Sequence, residues 1–196
     1  MSTAKLLVVI GSTRPGRVAL PVGQWIAQRA EAMGGWDVAI ADLAEINLPF
    51  MDEPKHPRFH QYVHDHTKKW SAQVESADAV VFVTPEYNYG FSAPLKNAID
   101  YLFSEWHYKP VGFVSYGGVS GGVRAVQMLK QVVTTLKMVP VTEAVNIPFI
   151  QQYFDDHHQF HPSEATEQAA QDMLQELRRW SHSLQSMRST HHHVTP

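Results

Sequence analysis

The chain of 196 residues predicts an α/β protein, a parallel sheet covered by helices on both faces. Three observations predict it. Short β-rich apolar runs recur, as in LLVVI (6–10), AVVFV (79–83) and PVGFV (110–114). Continuous apolar runs of that length suit strands buried on both faces. Longer amphipathic segments separate these runs, and Gly- or Pro-bearing turns close them.

In chain order, strand one is 6–10, followed by GSTRPGR and a helix from about Val18 to Met33, closed by Gly34-Gly35. WDVAIADL (36–43) reads as strand two. Residues 44–59, rich in Pro, Asn and Asp, read as a long loop before a helix from about His60 to Glu75. AVVFVTP (79–85) is strand three, ended by Pro85, and a helix from about Ala93 to Phe103 follows its loop. PVGFVSYGG (110–118) is strand four, with a helix over roughly Gly122 to Lys137 behind it. VPVTEAVNI (139–147) is a weaker fifth strand, and a last helix runs from about Ser163 to Met187. Five strands at this length suit the doubly wound, flavodoxin-like order 2-1-3-4-5, in one domain over residues 1–190 with 191–196 as a tail.

Composition narrows the function classes. Hydrophobic residues make up 44% and charged residues 18%, which indicates a folded globule. A formal net charge of −3 argues against nucleic acid or a membrane surface as partner. With no cysteine there is no disulfide, thiolate nucleophile or Cys-held metal, so redox chemistry requires a borrowed cofactor. No stretch has the length of a membrane span, and the apolar run near the N-terminus is too short for a signal segment, so a cytoplasmic location is expected.

Ligands on such sheets bind beyond the carboxyl ends of the strands. Three unusual loops lie there. GSTRPGR (11–17) offers the hydroxyls of Ser12 and Thr13, close backbone approach at Gly11 and Gly16, and a helix N-terminus. Arg14 and Arg17 add guanidinium forks that match a terminal phosphate. PEYNYG (85–90) carries two tyrosines where a simple reversal needs small polar residues, and it suits a flat, polar-edged ring such as an isoalloxazine. SYGGVSGG (115–122) is a glycine-rich turn whose backbone N–H groups can meet a ring carbonyl. The same stretch matches G-x-S-x-G around Ser120, a hydrolase nucleophile pattern, with Asp155, Asp156, His157, His158 and His161 downstream as partners for a triad.

His60, His64 and His66, then His157, His158 and His161, form clusters in polar segments; a structural metal site is not expected from them. Lys96 and Asp100, four apart, read as an exposed helix pair. Trp25, Trp70 and Trp180 fall in amphipathic helices, as core or interface. Trp106, with Tyr101, Phe103 and Tyr108, is expected at a subunit interface.

Together GSTRPGR, PEYNYGFSAPLKNAIDYL (85–102) and the SYGG loop resemble the NADPH-dependent FMN reductase family, flavodoxin-like proteins that include small quinone and chromate reductases. The resemblance covers about residues 5 to 150. It implies non-covalent FMN at the edge of a homodimer or homotetramer, NADPH as co-substrate and a small-molecule electron acceptor. By this likeness Ser12, Arg14 and Arg17 hold the phosphate. Pro85, Glu86, Tyr87, Asn88 and Tyr89 wrap the ring, and Ser115, Gly117 and Gly118 complete its pyrimidine side. Many members have a further serine where this chain has Arg17. No side chain is expected as catalytic acid or base, because the flavin carries the chemistry. A flavin-binding electron carrier without turnover fits the same residues, and a serine hydrolase using Ser120 is a third reading.

Overall fold

A computed structural model describes residues 3–191. Its strands are β1 (Ala4–Ile10), β2 (Trp36–Asp42), β3 (Ala79–Pro85), β4 (Pro110–Tyr116), β5 (Val139–Pro140) and β6 (Val145–Ile147). The helices are α1 (Ala19–Met33), α2 (Leu43–Ile46), α3 (Asp65–Glu75), α4 (Ala93–Asp100), α5 (Val123–Thr135), α6 (Glu164–Ser183) and α7 (Gln185–His191). All pairings are parallel, and the order β2-β1-β3-β4-β5 is the one the alternation predicts. The chain therefore has the flavodoxin-like arrangement.

Alternate residues of the central strands supply two cores. Leu6, Val8, Ile10, Val81 and Val83 face α1 and α6, whereas Leu7, Val9, Val80 and Phe82 face α3, α4 and α5. Every residue of β3 and β4 is buried, which is why both read as unbroken apolar runs. Gly112 lets α6 approach β4: a Cβ there would stand 2.8 Å from Met173 Sδ.

Several expectations are corrected. The helix expected from His60 begins at Asp65, because Glu53 accepts from the N–H groups of Val63 (2.9 Å) and His64 (3.0 Å) and holds them in the preceding turn. The expected loop 44–59 contains α2 and a short 3-10 turn at Pro57–Phe59. The fifth strand is in two pieces, with β5 pairing Pro110 and Val111 and β6 pairing Val114 to Tyr116. The last helix divides at Leu184, and α7 runs on to His191; the rest of the expected tail, 192–196, lies outside the described residues.

The largest correction concerns Trp106 and Tyr101. Both are fully buried within one chain. Trp106 meets Trp70 and Phe82 edge-on at 6.0 and 5.9 Å, and its indole N–H donates to Ile99 O. The layer is thick enough for them because α3 contributes Trp70, whose own N–H donates to Ala98 O. Trp25 is also buried, and Trp180 is partly exposed.

Candidate ligand edge and its relatives

The three loops meet at the carboxyl edge of the sheet because β1, β3 and β4 are neighbours in register. Ile10 is level with Val83, and Pro85 with Tyr116. The first and second loops touch where Ser12 Oγ and the Tyr87 hydroxyl lie 3.2 Å apart. The second and third touch where Glu86 N–H donates to Tyr116 O at 3.0 Å.

The first loop is anchored from beneath. Gly11 N–H donates to Val83 O (2.8 Å), and the Ser92 hydroxyl, buried just before α4, donates to Gly11 O (2.5 Å). Gly16 takes a positive φ of 69°, turning the chain into α1. The N-terminus of α1 has no side-chain cap and no acid in its first turn, so its field is free for an anion. Arg14 is exposed and has no ion partner among the described residues. Arg17 is placed differently: it is largely buried and ion-paired with Asp42, which also accepts from Ala44 N–H at the start of α2. Its Nε is buried without a partner. That donor and Arg14 together fit phosphate oxygens at this turn.

The second loop is a tight reversal. Tyr87 and Gly90 exchange both backbone hydrogen bonds (2.8 and 2.9 Å), with Asn88 at φ 51° and Tyr89 at φ 70°. Two left-handed central residues make a type I′ turn, which holds both tyrosines out on the surface. Tyr87, Asn88 and Tyr89 are exposed. Pro85 is buried at the end of β3 and shapes the turn from behind.

The Glu86 side chain clamps the start of α5. Its carboxylate accepts from Arg124 Nε (2.6 Å), from Arg124 Nη2, and from the N–H groups of Arg124 (3.1 Å) and Ala125 (3.4 Å). Burial alone would raise this carboxyl, but hydrogen bonds from Arg124, the Ser120 hydroxyl and Ala125 outweigh it and hold it below the usual carboxylate range. The Arg124 guanidinium also lies over the Tyr89 ring at 3.8 Å.

In the third loop, Ser115 is fully buried, and its hydroxyl bonds Gly121 O (2.8 Å) and Asn146 Oδ1 (2.9 Å). It braces the loop and does not face the open edge. Gly117 N–H donates to Ile147 O, and Gly118 O accepts from Phe149 N–H. A Cβ on Gly118 would meet nothing within 4 Å, so the backbone there is open to a flat ligand. Ser120 is spent on Glu86 and on a turn with Gly122 N–H. His161 pairs with Asp155 in a turn of its own. The hydrolase reading is not supported.

Tyr116, Arg124, Asp42 and Ser92 were not singled out from the sequence. Tyr116 hydrogen-bonds Ser12, and burial drives its phenol far above the usual range despite the nearby Arg17 charge. It therefore stays protonated beneath the loops. A groove of about 540 Å³ adjoins Thr13 between α2 and the start of α4. A larger hollow of about 650 Å³ lies by Ala4 and Asp78 at the opposite edge and contains none of these residues. Lys96 and Asp100 form an exposed ion pair. Among the described residues, no group of three or more His, Asp or Glu side chains stands in metal-holding geometry. No described helix is long and apolar enough to cross a membrane.

Topology and loops define the class: a flavodoxin-like protein whose three unusual loops meet at the carboxyl edge of its sheet. Residues 4–152 match the NADPH-dependent FMN reductase family, and the chain belongs to it. A fission-yeast (Schizosaccharomyces pombe) NAD(P)H-dependent FMN reductase is 41% identical over 150 residues, 74% of each chain. The Saccharomyces cerevisiae NAD(P)H-dependent FMN reductase LOT6 is 35% identical over 156 residues, 74% of this chain and 81% of that one. Among solved structures, FerB, a flavoenzyme NAD(P)H:(acceptor) oxidoreductase from Paracoccus denitrificans, superposes with a TM-score of 0.71 at 21% identity. That match covers 92% of this chain and 98% of FerB, and it supports the fold.

Proposed function

We propose that this protein is an FMN-dependent NAD(P)H oxidoreductase that passes two electrons to a small quinone-like acceptor, and that it works in the cytoplasm as a homodimer or homotetramer. Overall, NADPH, a proton and a quinone become NADP⁺ and a hydroquinone. The observation that carries this reading is the meeting of the three loops, with Ser12 and Tyr87 3.2 Å apart and the first loop leading into the uncapped start of α1. Family membership and relatives named as NADPH:quinone oxidoreductases, such as one from Arabidopsis thaliana at 41% identity over 63 residues, support it.

Bound FMN supplies a ring that accepts hydride and releases electrons. This chain's own groups bind and orient. Arg14, Arg17 and the field of α1 meet the phosphate, and Ser12 links that turn to Tyr87. The Tyr87–Gly90 turn and Gly117-Gly118 border the ring and keep water from it. Backbone dipoles of the third loop favour negative charge on that border.

The test is a titration of the purified protein with FMN, followed by NADPH under anaerobic conditions. The expected result is a saturable flavin complex whose visible absorption bleaches with NADPH and returns with a quinone. A protein that stays colourless in excess FMN would refute the reading.

A further inference from the structure

We infer that Phe149 is a specificity-determining residue, the aromatic wall that favours flat apolar acceptors; this rests on the FMN oxidoreductase reading above. Phe149 has φ 48° and ψ 48°, in the left-handed region that bulky side chains avoid. Asn47 and His60 share that conformation, but each terminates a helix, where a left-handed residue is the ordinary stop. Phe149 instead follows Pro148 in a turn that leads into a short 3-10 helix, a left-handed place that Gly or Asn fills without strain and a bulky aromatic does not.

Packing does not account for the side chain either. It is 50% exposed and lies in neither core. The backbone is nevertheless fixed at the ligand edge. Phe149 N–H donates to Gly118 O (3.0 Å) and Ile150 N–H to Gly117 O (3.3 Å), the two glycines that border the ring. Val119, on the same loop, is 75% exposed, and Tyr89 of the facing loop is 62% exposed and also left-handed. Phe149 and Val119 thus hold apolar surface out on one side of this edge, and Tyr89, with one ring face under the Arg124 guanidinium, stands on the other. A planar, uncharged acceptor gains stacking area there, and a hydrated anion gains none.

The left-handed backbone makes the test sharp. Glycine adopts that conformation freely, so a purely backbone role predicts that Phe149→Gly folds at least as well and keeps its selectivity. The experiment measures kcat and KM of the FMN-loaded protein for a naphthoquinone and for ferricyanide, in wild type, Phe149→Gly, Phe149→Ala and Phe149→Tyr. The expected result is a fall of about tenfold in the naphthoquinone-to-ferricyanide ratio of kcat/KM for the Gly and Ala variants, mostly through KM, with Tyr restoring it. An unchanged ratio in the Gly variant overturns the inference and leaves the enzyme reading intact. Wild type that binds no FMN, or turns over no acceptor, overturns both.

Discussion

Replacing Glu86 by Gln removes one negative charge and no volume, and its effect follows from the contacts of that carboxylate. The Glu86 side chain is 5% exposed, and it serves the Arg124 guanidinium and two N–H groups at the start of α5. Removing one partner of a fully buried ion pair costs about 3–5 kcal/mol. Arg124 is 43% exposed, so water screens part of that, and the amide oxygen of Gln still accepts some of the bonds. The expected loss is about 2 kcal/mol, toward the lower end for hydrogen bonds to charged groups. In a chain of this size that lowers Tm by about 4–8 °C. The folded carboxyl lies below its unfolded value, so its stabilisation is complete above the unfolded value and disappears as pH falls through the folded one. Thermal unfolding followed by circular dichroism should therefore show a Tm gap between wild type and Glu86→Gln at neutral pH that narrows in acid. FMN affinity should fall as well, since Arg124 covers Tyr89. Equal melting temperatures at neutral pH would refute the clamp.

Other outcomes follow from the same geometry. Arg14→Ala should weaken FMN binding about tenfold or more without lowering Tm, whereas Arg17→Ala should lower both because it strands Asp42; isothermal titration beside thermal melts separates the two. Gly122→Ala should cost about 3 kcal/mol, since its φ is 87° and a Cβ would stand 2.6 Å from Ser115 Cβ, while Gly118→Ala should melt like wild type and lose flavin affinity alone. Ser92→Ala leaves Gly11 O without its buried donor and should cost about 1–3 kcal/mol, read by urea unfolding, with a matching loosening of FMN.

The sequence revealed what local pattern determines. The β3 strand came out with its observed ends because an apolar run stops at Pro85, and the strand order followed from the alternation of elements. The convergence of three loops followed from the topology. What escaped notice depends on register. Arg17 reads as a phosphate fork alone, and only the pairing of Ile10 with Asp42 across β1 and β2 shows that a carboxylate shares it. Arg124 looks like one more helix cation until Pro85 pairs with Tyr116 and Glu86 reaches α5. Trp106 reads as interface because so much aromatic area on one short stretch is hard to bury within one thin layer; the cover is Trp70, 36 positions earlier in the numbering. A left-handed Tyr89 or Phe149 has no local signature, since glycine or asparagine is the usual occupant.

The split between β5 and β6 also has a bearing on solubility. A sheet margin with one long, flat row of open N–H and C=O groups invites another chain to zip onto it. Here that margin is cut into stubs of two and three residues, separated by Val141 to Ala144 and including Pro140, which has no N–H to offer. The broken margin thereby closes off one route to fibres on that side of the sheet.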